Sequence, residues 1–185
     1  SYKYEDGEQC TLTPVPLYWE SFYIAGDDLL KELVRQLVIE GKYAAIQQQL
    51  EMLKKSDIPK LLLDFFGKDN ARLDVTDRQI RSEFNLQVSM PVILYFLDLL
   101  NKDKVEKSTL SFDDIFTANK PTERVLDKFT KHFGFSVQSV DWEYDKEVIS
   151  KIVERTFDTL IGKISTVLSY YGCDIVLLAG RPTSL

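Results

Sequence analysis

The chain has 185 residues, 44% apolar and 28% charged, enough for one domain or two small subdomains on a shared core. Its 29 acidic residues outnumber 23 basic ones, the net charge is -6, and no Lys/Arg run offsets this locally, which speaks against a nucleic-acid partner. Cys10 and Cys173 stand far apart with no Cys-x-x-Cys or Cys/His cluster, so they read as two buried thiols rather than zinc ligands. No signal peptide opens the sequence, and its uninterrupted apolar runs fall below the roughly 18–20 residues that cross a bilayer. The expectation is a cytoplasmic protein without a membrane span.

The stretch from Cys10 to Ile24 is rich in Thr, Val, Tyr, Trp and Phe and is broken by Pro14 and Pro16, the pattern of short strands that bend at the prolines. Ser21 to Ile24 reads as a strand that runs into Ala25-Gly26-Asp27-Asp28. Asp27 or Asp28 can cap the helix that follows, whose Leu29, Leu30, Leu33, Val34, Leu37 and Val38 repeat at spacings of three and four. Gly41 marks its end.

Helical patterns resume over Tyr43–Lys55 and Ile58–Phe66, and Gly67 to Asn70 is a turn. Thr76 or Asp77 caps a longer helix with the stripe Ile80, Phe84, Val88, Val92, Tyr95 or Phe96, and Leu99. Pro91 falls inside this pattern and predicts a kink, or two helices, near Ser89-Met90.

Ser108 to Ser111 reads as a short strand, followed by Phe112 to Phe116. Pro121 starts a helix over Thr122–His132, closed by Gly134. Val137 to Trp142 reads as extended. The longest helix follows over Lys146–Tyr170, with Ile149, Ile152 or Val153, Phe157, Leu160, Ile164, Val167 or Leu168, and Tyr171 on one stripe, and Gly172 ends it. Asp174-Ile175-Val176-Leu177-Leu178 is almost wholly apolar and suits a central strand covered on both faces. Ala179-Gly180-Arg181-Pro182 then turns. A buried strand of this kind normally leads into a helix packed on it, so the sequence reads as a piece of a longer chain.

Two segments carry the functional signal. Ile24-Ala25-Gly26-Asp27-Asp28-Leu29 and Asp174 to Leu185 each pair a strand with a glycine turn. Glycine lets backbone approach a ligand closely, and a helix N-terminus behind it offers free N–H groups. Taken singly, each is better read as an ordinary turn.

In this order, the pair resembles the second half of the actin, hexokinase and heat-shock chaperone ATPase superfamily. Ala25-Gly26-Asp27-Asp28 resembles its Gly-Gly-acid-Asp helix start. Asp174 to Leu185 resembles its adenosine motif, with Ala179 and Gly180 at the two glycine positions. Ala179 and Pro182 depart from that pattern, and the departures are similar to the bacterial SrfB family of virulence factors, whose members are much longer.

The resemblance implies a mixed α/β, helix-rich fold: a fragment of an actin-like ATPase domain. Residues 1–30 and 143–185 would form part of the second lobe's core, and residues 31–142 an inserted, mostly helical subdomain. It also implies that the intact parent binds ATP and Mg. Gly26, Asp27 and Asp28 would lie on the phosphate or ribose side, and Ala179, Gly180 and Arg181 beside the nucleoside, where the guanidinium of Arg181 can stack on the base.

The superfamily's catalytic aspartates sit on Asp-x-Gly-x-x-Thr hairpins, and none occurs here. No catalytic residue or metal ligand is therefore assigned, and ATPase activity is expected only of the parent. The alternative is an interaction or scaffold domain that keeps the fold without nucleotide chemistry.

Three further groups have plainer readings. Arg78, Arg81, Ser82, Asn85 and Ser89 share one polar helix face, best read as solvated, although the chaperone relatives use such a face against the base. His132, the single histidine, lacks a Ser or Cys partner and reads as an exposed helix-end residue. Asp113 and Asp114 read as helix-start caps rather than paired catalytic carboxylates.

Overall fold

The computed structural model describes residues 2–3, 13–14, 26–67 and 75–172. Two short strands, β1 (Tyr2–Lys3) and β2 (Thr13–Pro14), pair antiparallel. The rest is mainly helical. The expected strand at Ser21–Ile24, the segment Asp174 to Leu185, and both cysteines lie outside the described residues.

Helix α1 (Gly26–Leu33) continues as a π-helical turn over Val34–Ile39. Leu29, Leu33 and Leu37 are buried along it, with Val34 and Val38. A spacing of four drifts by about 40° per step on an α-helix of 3.6 residues per turn. The wider π turn takes up that drift and keeps the leucine stripe on one face. Gly41 then breaks the helix at φ +140°, a conformation that side chains resist.

Helix α2 (Ala45–Met52) is shorter than its apolar pattern suggests. Lys54 and Asp57 both take left-handed backbone conformations and turn the chain into α3 (Ile58–Phe66). Pro59 sits in the first turn of α3, where its missing N–H costs nothing.

Helix α4 (Val75–Phe84) passes through a π turn at Asn85–Ser89 into α5 (Met90–Lys102). The disruption predicted at Pro91 is therefore a π insertion inside one helix. Met90 donates to the Asn85 carbonyl, and the next residue is the one that has no N–H to give. Helix Val75–Lys102 is also long and apolar enough, by length and composition, to cross a membrane. Its apolar side is nonetheless committed to the core: Ile80, Phe84, Val88, Val92, Ile93 and Phe96 are all buried.

Strand β3 (Lys107–Leu110) pairs antiparallel with β4 (Trp142–Asp145), from Lys107 opposite Asp145 to Leu110 opposite Trp142. Val137 to Trp142 is not extended throughout. Val137–Ser139 is a 3-10 turn, initiated by the Ser136 hydroxyl accepting from the Gln138 amide, and the strand begins only at Trp142.

Between the strands lie α6 (Phe112–Ile115) and α7 (Glu123–Phe133). Ser111 caps α6 reciprocally with Asp114: the Asp114 amide donates to the Ser111 hydroxyl, and the Ser111 amide donates to the Asp114 carboxylate. The cap is thus Ser111, and Asp114 is its third-position partner. Helix α7 buries Val125, Phe129 and Phe133 and closes on Gly134 at φ +79°.

The core centres on aromatic rings from three elements. Phe65 of α3, Phe84 of α4 and Phe129 and Phe133 of α7 meet there, and Phe84 stacks on Phe129 with centroids 5.1 Å apart. Such pairs add about 0.5–1.5 kcal/mol beyond their buried area.

Helix α8 (Lys146–Tyr171) is capped by Asp145, whose carboxylate accepts from the Val148 amide at 3.2 Å, and it ends on left-handed Gly172. Of the expected stripe only Ile149 and Ile152 are buried, while Phe157, Leu160, Ile164 and Leu168 are half-buried and Tyr171 is exposed. Farther along, Ile161 is 60% and Tyr170 82% exposed.

Candidate functional site

Gly26, Asp27 and Asp28 form the first turn of α1, so the two acids lie inside the helix rather than capping it. Carboxylates there complement the positive end of the helix dipole. Asp27 is exposed, and Asp28 lies 3.4 Å from Lys31 one turn on.

These acids stand at the edge of a cleft of about 1350 Å³. One wall is α1 with its π turn, which contributes Leu30, Val34 and Ile39. The second is α3, with Leu62, Leu63 and Phe66. The third is the α4–α5 helix at its π turn, with Asn85, Leu86 and Met90. Both π turns thus border the same cavity. Single π turns recur at functional sites in proteins generally.

The α3 and α4–α5 walls are largely apolar, and two of their leucines remain open to solvent: Leu63 is 62% and Leu86 65% exposed. The rim is charged. Arg35 donates to both Glu32 oxygens, at 2.7 and 3.1 Å, and lies 3.8 Å from Glu40. The hydrogen bond from Arg35 holds the Glu32 carboxyl below the usual range, with Gln36 assisting and burial opposing. Glu32 in turn raises the Arg35 guanidinium.

A smaller cleft of about 380 Å³ opens where α1 meets α8. Asp28, Glu32 and Gln36 line it from one side, and Ile152, Arg155 and Thr156 from the other. Asp28 and Glu32 face both cavities.

Ala179, Gly180 and Arg181 lie outside the described residues. The polar face on α4 does not hold as a face. Arg78 and Ser82 are exposed. Arg81 instead donates to the main-chain oxygen of Gly67 at 2.7 Å and to that of Asp64, closing the end of α3. Burial lowers its guanidinium. Asn85 lines the large cleft, while Ser89 is turned inward by the π turn and is 1% exposed.

His132 is not the exposed residue expected. It is half-buried, with Nε2 2.9 Å from the Leu61 oxygen and its ring against Phe65 and Phe133. That position serves packing between α3 and α7. Asp113 is exposed and pairs with Lys120 at 3.4 Å.

Among the described residues no group of three or more His, Cys, Asp or Glu side chains could hold a metal. A carboxylate pair accepts hydrogen bonds and repels bare phosphate. Asp27 and Asp28 are neighbours on the helix and point about 100° apart, so each carboxylate offers its acceptors separately. Sequence reasoning missed Glu32 and Arg35, although their spacing of three within a helical pattern is the signal for such a pair. It also missed Leu63 and Leu86, which its helical stripes did not mark as open.

All of residues 1–185 match the family model described as Virulence factor SrfB. The chain belongs to the SrfB family. No curated protein and no solved structure matches it significantly.

Proposed function

We propose that this SrfB chain supplies one wall of a nucleotide site in an ATP-binding, actin-like parent protein, with residues 31–142 as an inserted helical subdomain. One observation carries the reading: the Gly26-Asp27-Asp28 turn opens α1 beside the larger of the two clefts described, with Asp28 also facing the smaller. Asp27 and Asp28 would hold the ribose or the hydration shell of Mg, which neutralises the polyphosphate when bound. Ala179, Gly180 and Arg181 would border the nucleoside. Hydrolytic groups would come from elsewhere in the parent, so this chain alone does not turn ATP over.

A second reading is an interaction domain, and the cleft's apolar walls favour it. Two leucines more than 60% exposed beside a charged rim fit a protein surface better than a polyphosphate. Calorimetry of the full-length protein with Mg-ATP separates the two. Saturable binding supports the nucleotide reading. No heat at millimolar nucleotide overturns it and leaves the interaction domain.

A further inference from the structure

We draw no further inference here: the strongest candidate, the apolar walls of the cleft between α1, α3 and the α4–α5 helix with their exposed Leu63 and Leu86, belongs to the site already described, and nothing in the structure shows what covers them.

Discussion

The amide of Met90 donates to the carbonyl of Asn85, five residues back, immediately before Pro91. This single wide turn decides which side of the helix Ser89 faces. On an unbroken α-helix Ser89 falls with Arg81 and Asn85; here it is buried beside Val88 and Val92, and no described group bonds its hydroxyl. A buried hydroxyl left unsatisfied costs about 1–3 kcal/mol. Ser89→Ala should therefore stabilise the protein by about 1 kcal/mol, read as a rise of roughly 2–4 °C in Tm for a domain of this size. A fall in Tm would show that Ser89 has a partner.

Arg81 acts as a clasp between α4 and the end of α3. The last carbonyls of a helix have no partner within it, and the planar guanidinium reaches two of them, on Asp64 and Gly67. Arg81→Ala should cost about 1.5–3 kcal/mol, the range for hydrogen bonds to a charged group. Arg81→Lys should recover less than half of that, because a single ammonium lacks the fork. Urea denaturation of both variants tests this, and equal stability of the Ala and wild-type chains would remove the clasp.

The helices were legible where period and punctuation agreed. Gly41, Gly134 and Gly172 close the segments they were expected to close, and all three take positive φ. Pro91 located its disruption, but pattern alone does not distinguish a kink from a π turn, because that choice depends on how the Ile80-Phe84-Val88-Val92-Phe96 stripe meets α7 and β4. Ser89 was misplaced because the π turn re-aims it, and His132 because its partner Leu61 lies 71 positions away on another helix. At the site, Gly26-Asp27-Asp28 was visible as the start of a helix. The cleft's far walls were not, since no local signal tells that Leu63 and Leu86 stay open while Leu62 and Val88 are buried.

Asp145 links β4 to α8 and should make stability fall in acid. Its carboxyl is held below the ordinary range first by the hydrogen bond to Lys107, 2.8 Å away across the strands, and also by the Val148 amide at the start of α8. A carboxyl depressed in the folded state stabilises it fully above the unfolded value, near pH 4, and the contribution fades as pH falls through the lower folded value. Asp145→Asn keeps a capping oxygen but loses the charge. The stability gap between wild type and D145N should be constant from pH 7 to 5 and should narrow below pH 4. Denaturation curves at pH 7, 5 and 3 measure it, and a gap that widens in acid would contradict the assignment.

The two uses of the large cleft predict opposite sensitivities. Asp27 lies at its edge on the first turn of α1, while Leu63 and Leu86 stand exposed on its other walls. Substitutions at exposed positions usually change stability by less than about 0.5 kcal/mol, so each variant should stay folded. If the cleft's edge holds a nucleotide, Asp27→Ala combined with Asp28→Ala should weaken Mg-ATP binding by the full-length protein about tenfold, the equivalent of roughly 1.4 kcal/mol. Leu63→Asp with Leu86→Asp should leave that binding unchanged. An interaction domain reverses the pattern: the leucine pair abolishes partner binding, and the aspartate pair has little effect on it. Calorimetry of both double variants, with thermal melts to confirm folding, reads the difference. Loss of Mg-ATP binding in the leucine pair but not the aspartate pair would sink the role assigned to Asp27 and Asp28.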